Sequence, residues 1–149
     1  MFKTLAYLGP TGTFTHQAAQ FLIAQGWFDT PPQLSPCESI PEVMEKAVLD
    51  SKTVAIVPVE NSIAGTVNIT IDLLAHELEL FIQGEVVLDI NHYLFSFSTD
   101  LKEIHTVLSH PQALAQCRHF LKKHLGWATI QKKASTAEAV RFLMARKEA

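Results

Sequence analysis

The chain is poor in cysteine, with only Cys37 and Cys117 among 149 residues. Two cysteines in a chain of this size make no disulfide framework, and their separation matches no metal-ligand spacing. Both read as small, partly buried thiols. Excess charge of one sign is also lacking: a formal charge of −3 with mixed signs gives no electrostatic footing for nucleic acid. No apolar run approaches the length that spans a bilayer. Met1-Phe2-Lys3-Thr4 leads straight into a strand and lacks a signal-peptide layout, so the default expectation is a cytoplasmic location with no membrane partner. A Gly-x-Ser-x-Gly elbow is absent, which removes support for a hydrolase triad. Gly9-x-x-Gly12 is not a dinucleotide fingerprint and lacks the lysine of a phosphate loop. The pairs His105/His110 and His119/His124 are each five apart, a spacing that does not put two imidazoles on one helix face for a metal.

What is present is a chain of 48% hydrophobic residues, enough for one unit or two small lobes sharing a hinge. Lys3 to Leu8 reads as a strand ended by Gly9-Pro10. Thr13 to Trp27 carries helical spacing, with Phe14, Ala18, Phe21 and Leu22 on one face. A short strand is expected near Gln33 to Ser35. Ser39-Ile-Pro-Glu42 is a capping-box pattern that opens a helix to about Asp50, and Thr53 to Val57 is the next strand. Leu78 to Ser98 shows β-rich runs broken at Gln83-Gly84 and near Asn91, as in two long extended segments. His105 to Leu108 and Trp127 to Lys133 read as strands, His110 to His124 and Thr136 to about Lys147 as helices. Leu114, Leu121, Val140 and Leu143 are the expected core faces of those helices. The alternation predicts an α/β fold with parallel sheets. The boundary between lobes is expected near His76, giving 1–76 and 77–149.

Three strand-to-helix junctions share one chemistry. They are Leu8 to Gln17 (LGPTGTFTHQ), Val57 to Leu74 (VPVENSIAGTVNITIDLL) and Leu108 to Cys117 (LSHPQALAQC). In open α/β sheets such junctions lie at the carboxyl ends of strands, where ligands usually bind. Backbone N–H groups and the positive end of a helix make each a weak anion site, and Gly9, Gly12 and Gly65 would allow close approach to the backbone. Ser109-His-Pro-Gln112 repeats the capping-box pattern, and Gln112 and Gln116 share one helix face. Any single loop of this kind is explained by turn and cap preferences alone. Three together, two of them carrying side-chain amides, point to a small-molecule cleft.

Four segments in order, GPTGTFTHQAA (from Gly9), PVENSIAGTVNITIDLL (from Pro58), GEVVLDINHYLFS (from Gly84) and SHPQALAQC (from Ser109), closely resemble the motifs of prephenate dehydratases. The match spans Ala6 to Val140. The resemblance implies a two-lobed fold like the type II periplasmic binding proteins, mixed but largely parallel sheets with flanking helices, and an active site in the cleft between lobes. It implies conversion of prephenate to phenylpyruvate, with loss of water and carbon dioxide, in phenylalanine biosynthesis. No metal or organic cofactor is implied. By the resemblance Asn61, Ser109 and Gln116 match active-site positions, with the amides of Asn61 and Gln116 orienting the substrate. Thr13, Glu60, Ser62, Gly65, Thr70, His110 and Gln112 match substrate-binding positions, and His92 reads as structural. One departure stands out, because the family pattern continues to a Thr-Arg-Phe motif whose threonine is its leading candidate for donating to the departing hydroxyl. The 149 residues hold no such motif, and no chorismate mutase or phenylalanine-sensing ACT domain. The chain therefore reads as an amino-terminal fragment or a natural short form, inactive by itself, with an incomplete second lobe whose exposed apolar surface favours a homo-oligomer. A non-catalytic module of the same fold that binds a small carboxylate is the alternative.

Overall fold

The computed structural model describes residues 1–61 and 65–146, and its amino-terminal half is organised on one strand. That strand, β1 (Thr4–Leu8), lies at the centre of a parallel sheet, between β2 (Gln33–Cys37) and β3 (Thr53–Ile56). Leu5, Ala6 and Tyr7 of β1 are all buried. Successive side chains of a strand face opposite ways, so β1 needs cover on both sides. Helix α1 (Phe14–Ala24) supplies one cover, packing Ala18, Ala19 and Leu22 with Leu5, Tyr7 and Ile56. Helix α2 (Ile40–Leu49) supplies the other, with Val43 against Ala6 and Cys37. Each large side chain so buried is worth roughly 1.5–3 kcal/mol. The buried stripe of α1 differs from the expected one: Phe21 is 44% exposed, and the alanines face the sheet. Small residues there let helix and strand approach closely.

The caps follow the sequence in part. Ser39 accepts the Glu42 N–H at the start of α2, at 3.3 Å. Its reciprocal arm reaches one residue further than expected, the Glu42 carboxylate accepting the Glu38 N–H at 2.8 Å. That N–H, with Lys46 beside it, holds the Glu42 carboxyl below its ordinary range.

Beyond β3 the chain makes a short antiparallel pair, β4 (Glu60–Asn61) with β5 (Gly65–Thr66), and then helix α3 (Asn68–Asp72), which ends in a π-helical turn at Leu73–Glu77. The chain turns extended at Leu78, close to the expected boundary. The residues nevertheless group as Met1–Asp89 and a second unit from Ile90 onward. The difference arises because Val86 and Leu88 pack on the core of β1 and α1. Gly84 belongs to the same crossing: a Cβ there would come within 2.3 Å of the Trp27 ring. The two strands expected over Leu78 to Ser98 do not form a ladder among the described residues. Extended chain becomes sheet only beside a partner strand, and none of the described strands pairs with it.

The second unit pairs β6 (Thr106–Ser109) with β7 (Thr129–Lys132), again parallel. The single helix expected from His110 to His124 is two, α4 (Pro111–Gln116) and α5 (Arg118–His124), separated at Cys117, whose ψ of 5° is not helical. Helix α6 (Thr136–Ala145) packs against β6. The buried residues here are Val107, Ala113, Leu125 and Ala139. The expected core positions Leu114, Leu121 and Leu143 are half-buried, and Val140 is exposed. A sheet of two strands covers too little of each helix to bury them. The fold is thus α/β with parallel sheets and flanking helices, as expected.

A fully buried hydroxyl ties α3 to the end of β3. Thr70 is 0% exposed and donates to the Pro58 carbonyl at 2.7 Å. Thr70→Val keeps the shape and removes the donor, leaving that carbonyl without its partner, so it should destabilise the protein by about 1–3 kcal/mol in urea denaturation.

Candidate functional site

The strand order β2-β1-β3 contains a reversal. The chain steps from β1 outward to β2, then crosses back over β1 to β3. In sheets of this kind ligands bind outside the carboxyl ends of the strands at such a switch point. Here it lies between β1 and β3, which run side by side with Tyr7 opposite Ile56. The loops carrying Thr13 and Asn61 therefore leave the same edge of the sheet. Two of the three junctions singled out in the sequence share one place.

The first loop is held from within. Thr13 caps α1, its hydroxyl accepting the His16 N–H at 3.4 Å, and it lies 3.0 Å from the Leu8 carbonyl as donor. The Tyr7 hydroxyl lies 3.1 Å from that of Thr11, and the Gly12 N–H donates to Nδ1 of His16 at 3.2 Å. Tyr7 and His16 stack with ring centroids 5.2 Å apart. Several donors that were expected to face a ligand are thus committed to shaping the loop. Sequence reasoning missed Tyr7 and His16; the spacing of Gly12 and His16 was the available signal.

The second loop is a hairpin. Asn61 pairs with Gly65 and Glu60 with Thr66. Neighbouring strand residues face opposite ways, and here Asn61 is half-buried while Glu60 is exposed. The amide is therefore on the sheltered side and the carboxylate on the solvent side. Gly65 is exposed, with φ of 81°. The expected contact residue Ser62 lies outside the described residues. Thr70, expected to touch substrate, is wholly buried with its proton on Pro58, and so acts on the loop from beneath.

The third junction belongs to the second unit. Ser109 closes β6, half-buried, and its carbonyl accepts the Lys133 N–H at 3.0 Å. The expected Ser109 cap is replaced by His110, whose Nδ1 accepts the Gln112 N–H at 3.3 Å. Pro111 at the first helical position sets this register: it has no N–H of its own, and the residue before a proline is kept out of the helical region. Gln112 is exposed. Gln116, the last residue of α4, is half-buried and meets His92, Oε1 of the amide against Nε2 of the ring. The site position that sequence reasoning had set aside is therefore in contact with one it had selected.

Chemically, the three junctions offer amides, hydroxyls and backbone N–H groups, with no lysine or arginine in Gly9–Thr13, Val57–Asn61 or Ser109–Gln112. Such groups can hold a carboxylate without burying a cation. Among the described residues no three His, Cys, Asp or Glu side chains converge as a metal set. A concavity of about 250 Å³ lined by Met1, Phe2, Trp27, Phe28, Asp29 and Thr30 is formed by residues that precede β1 and β2. It is a different place from the loops at the carboxyl edge, and it holds none of the candidate residues.

Comparison with known proteins adds an independent line. The family model described as prephenate dehydratase matches residues 5–149. A prephenate dehydratase of Methanocaldococcus jannaschii is 40% identical over 148 residues, covering 99% of this chain and 52% of the relative. The crystal structure of prephenate dehydratase from Staphylococcus aureus superposes with a TM-score of 0.77 at 32% identity, over 94% of this chain and 51% of that one. An Arthrobacter aurescens prephenate dehydratase, solved in complex with L-Phe, gives 0.72 at 31% identity, over 95% and 45%. The chain spans about half the length of the relatives it matches.

The hairpin that carries Asn61 depends on Gly65. An added Cβ would meet nothing within 4 Å, so the constraint is the left-handed backbone alone. Gly65→Ala should cost about 1–2 kcal/mol, read as a lowered midpoint in thermal unfolding.

Proposed function

The chain belongs to the prephenate dehydratase family, and we propose that the full-length protein converts prephenate to phenylpyruvate in phenylalanine biosynthesis. The observation that carries this reading is the placement of Asn61: on the sheltered face of a hairpin, at the switch point of a doubly wound sheet, beside a loop without cationic side chains.

In the reaction the bond from the ring to its carboxylate breaks, and carbon dioxide leaves. The electron pair closes the aromatic ring and expels the hydroxyl from the opposite carbon. That hydroxyl takes up a proton and departs as water. Binding helps only where it is stronger in the transition state. A lysine on the departing carboxylate would stabilise the starting charge and hinder its loss; amides and hydroxyls hold the molecule more evenly. In this reading Asn61 and Gln116 orient the substrate through their amides, and Ser109 donates to one of its oxygens. Gly65 and Glu60 belong to the same pair of strands as Asn61, His110 and Gln112 follow Ser109, and these residues are proposed, with Ser62, as substrate-binding positions. Thr13 and Thr70 act mainly by setting the loops. The substrate is the small-molecule partner.

A cytoplasmic setting is part of the same proposal, supported by two cysteines that are both free thiols. A homo-oligomer is proposed as well, supported by the exposed Phe81, Ile82, Val87, Tyr93 and Phe95.

Purified full-length protein incubated with prephenate should release phenylpyruvate, followed by its absorbance in alkali. Asn61→Ala should lower kcat by about 10²–10³, the usual loss for one positioned donor, with an unfolding midpoint close to that of the wild type. Saturable binding of prephenate without turnover would instead favour a binding module.

A further inference from the structure

We propose that His16 binds the carboxylate that the substrate keeps: Nδ1 of its ring is engaged by the loop, and Nε2–H is an open, neutral donor at the carboxyl edge of the first sheet. The inference rests on the reading of that edge as the substrate site. It adds a second side chain to Asn61 within the same unit.

A neutral imidazole carries hydrogen on one nitrogen only, and the bond made by the other decides which. At His16 the decision is made by Gly12, whose N–H donates to Nδ1 at 3.2 Å. The hydrogen of the ring therefore belongs on Nε2. Gly12 makes this bond with a φ of 93°, a left-handed backbone that suits glycine. The ring is held on its face as well. Tyr7, 1% exposed near the end of β1, stacks on it with centroids 5.2 Å apart. The Tyr7 hydroxyl meets Thr11 and leaves the imidazole alone. Tyr7 lies opposite Ile56 of β3, so the ring stands beside the switch point.

The Nε2 side is open. His16 is half-buried, and its remaining bond, from the backbone N–H to Thr13, does not involve the ring. No group among the described residues meets Nε2. Among those residues no buried side-chain nitrogen or oxygen lacks a hydrogen bond. An unpartnered Nε2 must therefore reach solvent. An asparagine here would close the same bond to Gly12 with its amide oxygen; the imidazole adds a second nitrogen that the loop does not use.

A ring held at one nitrogen and one face has already lost the freedom that a flexible donor would lose on binding. Prephenate has two carboxylates, one that leaves and one that remains in phenylpyruvate. A firm donor on the first would oppose its loss. On the second it only anchors, through a charge-assisted bond.

The test uses full-length protein and two substitutions that separate the nitrogens. His16→Asn keeps an oxygen near Nδ1 for Gly12 and has nothing at Nε2. His16→Gln places an amide N–H near Nε2 and gives up the bond to Gly12. Phenylpyruvate, titrated by calorimetry, should bind His16→Asn about 10–100-fold more weakly than wild type, the usual worth of a hydrogen bond to a charged group, with the unfolding midpoint nearly unchanged. His16→Gln should show the reverse, a lowered midpoint with most of the affinity retained. For prephenate the His16→Asn loss should appear in kcat/KM, mostly as a raised KM. In the wild type, the ¹⁵N signal of the His16 Nε2–H should shift when phenylpyruvate is added. Equal affinity of wild type and His16→Asn, an unchanged kcat/KM, an unmoved Nε2 signal or a wild type that does not bind phenylpyruvate each overturns the proposal. So does a loss of affinity in both variants that follows their loss of stability. A wild type that binds phenylpyruvate but makes none from prephenate defeats the functional reading; weaker binding by His16→Asn then still upholds the histidine as a carboxylate contact.

Discussion

Leu5 and Tyr7 project from one face of β1 and Ala6 from the other, and all three are buried. A strand covered on both faces must have helices on both, which α1 and α2 provide. That requirement places β2 and β3 on opposite sides of β1 and makes their connections diverge. The loops after β1 and β3 are left at one edge, where the Gly9 N–H is held by the Cys37 carbonyl of β2 and the Gly12 N–H by His16. A polar substitution at Leu5 or Ala6 would therefore disturb the site without touching it. The second unit repeats the local arrangement on a smaller scale, with β6 delivering Ser109 into α4.

The polar residues of these loops divide into two kinds. Thr13, Thr70, Tyr7 and His16 spend their hydrogen bonds on carbonyls, hydroxyls and N–H groups of the loops themselves. Such bonds, each worth about 1 kcal/mol net, set loops that have few apolar contacts of their own. Asn61 in the first unit, and Ser109 and Gln116 in the second, are half-buried and uncharged. In the proposed function, neutral donors of this kind suit a carboxylate that must be held and then lost.

Much of this was legible in the sequence. The strand-helix alternation, the Ser39 cap and the polar junctions follow local rules, and the structure follows them closely. The departures have physical causes of longer range. The break at Cys117 divides a periodic segment that pattern alone joins. The Leu78 to Ser98 segment has the composition of strands, yet composition does not supply a ladder partner. Val86 and Leu88 carry the first unit past the expected boundary because they find the β1 core. His110 displaces Ser109 as cap because a proline follows it. The contact of His92 with Gln116 spans 24 residues and leaves no trace in either local pattern. The family motifs, read by resemblance, selected Gln116 and passed over its neighbour.

The central claim is the proposal that Asn61, at the switch point of the first unit, acts on a small carboxylate. Its most direct test is the position of bound phenylpyruvate, the stable product, in a crystal structure of the full-length protein. The account predicts the molecule outside the carboxyl ends of β1 and β3, with the Asn61 amide within hydrogen-bonding distance of its oxygens. Phenylpyruvate bound at a place that does not touch Asn61 would contradict it.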